Sequence, residues 1–313
     1  VGVYVNGTLQ LAGNLNAQET ISLDTPLALN VGSELAAKNI KLRSGENIEL
    51  NENALVQGEN INLTAKKNIT EVYDLEKGTG SKLITNYTTI EEGVEVYNQG
   101  QLTINNGGTL DLGSKNNMLG IVNINNTSAQ ADNVIKLGNT GNADLELTIK
   151  NEAVSDKKVA GSIDVHNYES AKEEQYNDVY VNEIYAKGDL KLTNDEDTDY
   201  ADIDRYGIFI GKIPQYRLGT EEKEYPGVIN VDGKLDLIAK GIVNNEQAGV
   251  RQDGSVVDGG SITAGKDINI QAKAFANGDE AIIQTGGNLN ATITGEDVEN
   301  VTIKGKERDY YVV

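Results

Sequence analysis

Short alternations of aliphatic and polar residues recur along the whole chain, each behind a glycine. The template is Gly, one or two polar residues, then an aliphatic–polar–aliphatic triplet. It occurs at 7–11, 45–50, 58–63, 100–104 and 108–112, and returns at 188–192, 233–237 and 265–270. Alternation over so few positions predicts a very short strand with one buried face. The glycine before it supplies a sharp corner. No helical period of useful length is present.

In the most regular stretch, equivalent residues lie 21 positions apart: Ile40 and Ile61, Leu42 and Leu63, Ile48 and Ile69. Three short strands, near Ile40, Ile48 and Leu55, fit inside that interval. The spacing predicts a coil of three strands that closes after 21 residues and stacks on itself. Ile262 and Ile283, Ile268 and Leu289, and Ile270 and Ala291 keep the same step. Polar positions obey it too. Asn39 falls on Asn60 and Asn47 on Asn68, as corner ladders would, while Lys38 falls on Glu59 and Glu46 on Lys67. Opposite charges on neighbouring strands help by a few tenths of a kcal/mol to about 1 kcal/mol each.

The middle of the chain is less regular. Leu102, Val122, Leu145 and Ile163 form one expected column, and Ile104, Ile124, Leu147 and Val165 the next. A further step of 27 leads to Leu190 and Leu192. Unequal steps on a constant set of strands mean turns of different length. The expectation is therefore an all-β fold, a right-handed parallel β-helix of triangular section, its hand set by the usual chirality of parallel crossovers. Ten to twelve coils at about 4.8 Å each would give a rod roughly 50–60 Å long. Residues 1–313 read as one such rod, with insertions at about 71–99, 166–187 and 193–226.

Composition agrees with a thin aliphatic core. Of 313 residues, 38% are hydrophobic, with 34 Gly, no Trp, 2 Phe and 14 Tyr. The net charge of −21 and pI near 4.4 repel phosphate backbones and anionic membranes, which excludes nucleic acid as a partner. No Cys is present, so neither disulfides nor thiol chemistry is available. The sequence shows no signal peptide and no apolar run of membrane-spanning length. It opens on Val1, as expected of a piece of a longer protein.

The segments "KNIKLRSGENIELNENALVQGENINLTAKKNI" and "GGSITAGKDINIQAKA" resemble the repeats of filamentous-haemagglutinin-like adhesins, the large exoproteins of two-partner secretion. Autotransporter passengers use a similar grammar. The Asn-Pro-Asn type motif of the family's secretion domain is missing, because the prolines follow Thr25, Ile213 and Tyr225. The resemblance implies a secreted or surface-held bacterial rod used for attachment. Its implied partners are a host-cell or bacterial surface protein or glycan, an outer-membrane transporter during secretion, and flanking coils of the same chain. It implies no catalysis and no cofactor. Two other readings remain open: a polysaccharide-active β-helix enzyme, and a structural spacer of a toxin or surface filament.

Candidate chemistry is sparse. The single histidine, His166, ends an apolar alternation and reads as a loop residue more readily than as a general base. No Gly-x-Ser-x-Gly, His-Glu-x-x-His or phosphate-binding loop occurs. Asp202, Asp204, Arg205 and Arg217 are the set an enzyme of glycans would need. Asp195, Asp197 and Asp199 open an acidic run that could offer oxygens to Ca²⁺. Tyr176, Tyr180, Tyr185, Tyr200, Tyr206 and Tyr216 are candidate contact residues, since Tyr joins a flat apolar face to a polar tip. Packing of the insertions onto the rod is the plainer role for the same rings. Eight Asn-x-Ser/Thr sequons, at Asn6, Asn62, Asn68, Asn86, Asn125, Asn126, Asn290 and Asn300, match what solenoid turns favour anyway.

Overall fold

The computed structural model describes residues 1–128, 134–140, 144–153, 161–169, 178–196, 207–211, 227–246, 249–250, 256–257, 259–278, 281–295 and 301–303. Among these there are strands, turns and bends but no helix. The strands stack in parallel, each pairing with the strand one coil earlier and one coil later. The chain is a parallel β-solenoid.

Three walls enclose the axis. The first begins with Gly2–Tyr4, Thr20–Thr25, Asn39–Ser44 and Asn60–Ala65, and continues through Gln101–Asn106 and Ile121–Ser128. Among the described residues the second holds eleven strands, from Leu9–Leu11 to Leu289–Ile293. Its ten spacings of about 4.8 Å make the rod roughly 48 Å long. The third wall starts as Leu15–Asn16, Glu34–Ala36, Leu55–Gln57 and Lys82–Ile84.

The expected 21-residue registers are present: Ile61 pairs with Ile40 and Leu63 with Leu42, and Ile69 pairs with Ile48. Ile262 pairs with Ile283, and Ile268 and Ile270 pair with Leu289 and Ala291. Burial follows the alternation. Ile40, Leu42, Ile48, Leu50, Ile61, Leu63 and Ile69 are all fully buried, each contributing roughly 1.5–3 kcal/mol relative to exposure.

The middle columns run differently from the expected ones. Leu102 stacks on Val122, and Val122 on Leu147, not Leu145. Ile163 and Val165 belong to the second wall, between Ile135 and Leu137 on one side and Leu190 and Leu192 on the other. Both walls carry the same aliphatic–polar–aliphatic triplet, so spacing alone could not separate them.

The insertions also need correction, because rod strands lie inside each expected span. Lys82–Ile84 extends the third wall by pairing with Leu55–Gln57. Val179–Ala186 pairs with Leu145–Ala153 in the first wall, where Asn182 is left over as a bulge. The first half of Val179–Ala186 then pairs with Gly207–Ile210 and its second half with Val228–Val231. One long strand thus feeds two walls, and the third wall resumes as Gly207–Ile210, Ile242–Asn245 and Ala274–Asn277. Within 71–99 there are two hairpins, Tyr73–Asp74 with Thr79–Gly80, and Asn86–Glu91 with Val94–Gln99. The second turns on Glu92 and Gly93, both at positive φ (49° and 81°), the backbone that a two-residue hairpin turn requires.

The corners are polar inside as well as outside. Asn106, Asn126 and Asn151 continue the inward column at the end of the first wall, and all are at most 4% exposed. At the end of the second wall Asn139 donates to Asn167 at 2.7 Å, and Asn167 donates to Asn194 at 3.2 Å. At the end of the third, Asn245 donates to Asn277 at 2.7 Å. These amides serve backbone groups that leave the ladder at each bend. Asn126 reaches the Gly108 carbonyl at 2.7 Å, and the Leu119 N–H reaches Asn139 Oδ1 at 2.7 Å.

Candidate functional site

Outward positions of the second wall form two columns running along the rod. One runs Asp111, Lys136, Asp164, Lys191, Asp236, Asn269 and Asn290. The other includes Gly138, His166, Thr193, Ile238, Gln271 and Thr292. The first alternates in charge over five strands, so its charges largely cancel along the axis. Lys136 Nζ lies 3.4 Å from Asp111 Oδ2.

Aromatic rings gather beside these columns where the small hairpin 73–80 folds over the wall. The Tyr73 hydroxyl donates to Asp111 Oδ1 at 2.8 Å. Gly113 makes room for that ring, since a Cβ there would come within 2.4 Å of the Tyr73 oxygen. On the neighbouring side His166 stacks on Tyr168, with centroids 3.9 Å apart and planes 14° from parallel. His166 Nε2 meets Asp195 Oδ2 at 2.5 Å. His166 is therefore a strand residue with a carboxylate partner, not the loop residue its sequence context suggested.

Tyr73, Tyr168, His166 and Asp195 are all partly exposed. Both phenols are pushed above their ordinary range, first by burial and then by carboxylates. Asp111 acts on Tyr73, while Asp164 and Asp195 act on Tyr168. The rings therefore stay neutral hydrogen-bond donors at any physiological pH. The arrangement can hold a ligand against flat apolar faces rimmed by hydroxyl, imidazole and carboxylate.

A buried carboxyl lies behind the hairpin. Glu71 occupies the inward position after Ile69 and is 7% exposed. Its Oε2 accepts from the Ser114 N–H at 3.3 Å and from Asn117 Nδ2 at 3.0 Å. Burial pushes its pKa up to about 8, and the Asn117, Ser114 and Ser81 donors offset this only in part.

Of the tyrosines and aspartates singled out from sequence, Tyr180, Tyr185 and Asp195 are among the described residues. Tyr180 is 4% exposed and stacks on Phe209 with centroids 5.4 Å apart, so it packs rather than presents a contact surface. Tyr185 is partly exposed on the first wall, with Lys150 Nζ 5.8 Å from its ring centre. Tyr176, Tyr200, Tyr206 and Tyr216 lie outside the described residues, as do Asp197, Asp199, Asp202, Asp204, Arg205 and Arg217. Among the described residues, no three His, Cys, Asp or Glu side chains are grouped to hold a metal ion. Two sequon asparagines, Asn86 and Asn126, are fully buried and closed to modification in the folded rod.

Tyr73, Asp111 and Asp164 were not singled out from the sequence. For Asp111 and Asp164 the usable signal was their outward place within aliphatic triplets, readable only once the walls are told apart; Tyr73 arrives on a separate hairpin and carries no such signal. Comparison with protein-family models, curated proteins and solved structures finds no match.

Proposed function

We propose that this chain is a segment of a secreted or surface-held bacterial adhesin, of the filamentous-haemagglutinin-like or autotransporter kind. In this reading the solenoid supplies reach and rigidity, and the outer face of the second wall makes the attachment to a host-cell or bacterial surface. The observation that supports it is the partly exposed Tyr73, Tyr168 and His166 cluster on a wall whose other described outward positions are mostly charged, amide or hydroxyl. Aromatic rings with a polar rim dominate recognition surfaces because they bury much apolar area at low entropy cost.

The test is attachment of the purified rod to host cells and to bacteria. Replacing Tyr168→Ala and His166→Ala together should weaken attachment about tenfold or more, as loss of a recognition centre does. Full attachment by that variant would favour the spacer reading. Release of new reducing or unsaturated ends from a glycan panel would favour the enzyme. Point variants are preferable to deleting 193–226, which would remove the wall strand Gly207–Ile210.

A further inference from the structure

Farther along the same wall, a groove of about 280 Å³ opens over the outward side chains of three successive coils. Its floor is Asp236, Asn269 and Asn290 in one column and Ile238, Gln271 and Thr292 in the next. Hydrogen bonds order the first column. Asn290 Nδ2 donates to Asn269 Oδ1 at 2.9 Å, and Asn269 Nδ2 donates to Asp236 Oδ1 at 2.7 Å. Lys234 Nζ closes the row, 2.9 and 3.0 Å from the two Asp236 oxygens.

We propose that this groove is a subsite for one pyranose-sized unit of an uncharged saccharide. The proposal rests on the attachment reading above and names a ligand class for the same wall.

Three features support the assignment. Among the described residues, the charges in the lining are Lys234 and Asp236, and they are paired with each other, so a charged ligand meets no unpaired counter-ion there. What remains is amide and hydroxyl, which both donate and accept and so match sugar hydroxyls. Partly exposed Ile238 supplies an apolar patch of the kind small-ligand sites place beside a few polar groups. A peptide strand is a poor fit over the groove floor, because Leu235–Ala239 and Ile268–Ala272 are each paired on both sides, and the edge that Leu289–Ile293 leaves unpaired among the described strands faces along the rod axis rather than into the groove.

The experiment uses the full chain and three probes: maltotriose, N-acetylchitotriose and dextran sulfate. Binding is followed by calorimetry and by amide chemical shifts. The expected result is binding of at least one neutral probe, with shifts at Gln271, Asn290 and Thr292. Gln271→Ala and Asn269→Leu should each weaken it tenfold or more, and Gln271→Ala should leave thermal stability unchanged. Binding of dextran sulfate alone would overturn the proposal, as would neutral binding that both variants leave intact. Cell attachment without any saccharide binding would also overturn it while leaving the adhesin reading standing. Saccharide binding by a rod that attaches to no cell would do the reverse.

Discussion

Asn60 donates its side-chain amide to Asn39 Oδ1 at 3.1 Å, across 21 residues of sequence and a single coil of the rod. The bond exists because Asn60 and Asn39 are register partners in adjacent parallel strands. The same step places Lys38 by Glu59 at 3.8 Å and Lys67 by Glu46 at 3.2 Å. One coil length thus governs apolar, amide and charged positions together.

Ile61 lies fully buried between Ile40 and Leu102. Replacing Ile61→Ala should cost roughly 2–5 kcal/mol, because a stacked column closes over a cavity only partly. Denaturant unfolding measures it. A loss below about 1 kcal/mol would mean that the column does not hold the coils together.

The interior amides should matter more than the outer ones. Asn167 accepts from Asn139 and donates to Asn194 deep inside the rod. Asn167→Ala should cost roughly 1–3 kcal/mol, chiefly because the buried Asn139 amide loses its acceptor, while Asn194 Oδ1 keeps the Glu196 N–H. Asn39→Ala, on the partly exposed ladder, should cost about 0.5–1 kcal/mol. Equal losses in thermal and chemical denaturation would contradict this ranking.

Surface ion pairs should contribute little. Lys38 and Glu59 side chains are 52% and 38% exposed, so solvent screens their attraction. Lys38→Ala should change stability by less than about 0.5 kcal/mol, with little response to added salt.

Glu71 should make stability depend on pH in one direction. Its folded pKa of about 8 lies above the ordinary 4.5. The neutral acid is favoured in the fold, so its contribution is complete below pH 4.5 and is lost as pH rises towards 8. At pH 7 the accumulated loss is on the order of 3 kcal/mol. Glu71→Gln keeps an amide in place of the neutral acid and should flatten that slope. The variant should be more stable than the parent at pH 7 and similar to it at pH 4. Parallel stability profiles for the two proteins would show that Glu71 is not held neutral.

Legibility differed along the chain for a physical reason. Where every coil has 21 residues, as at 39–69, step and register coincide, and Ile40, Leu42 and Ile48 could be stacked from sequence alone. Where turns lengthen, the same triplet fits either wall, and Leu145 and Ile163 were assigned to the wrong column. The polar corners at Asn106 and Asn126 went unread because an inward asparagine ends the apolar alternation that marks a strand. The His166, Tyr168 and Tyr73 cluster was invisible for another reason. His166 and Tyr168 are neighbours in one coil, but Tyr73 comes from a much earlier one and reaches the same wall only through the folded hairpin.

The alternation of aliphatic and polar residues, with glycine at each bend, determined by itself that this chain forms short one-sided strands and that they stack in coils. A strand of three residues with one apolar face has no other way to bury it. Tertiary structure alone decided which wall each middle strand joins, that one long strand divides between two walls, and which outward side chains share a face. Those outcomes depend on turn lengths and on packing between coils, and neither is encoded in a local pattern.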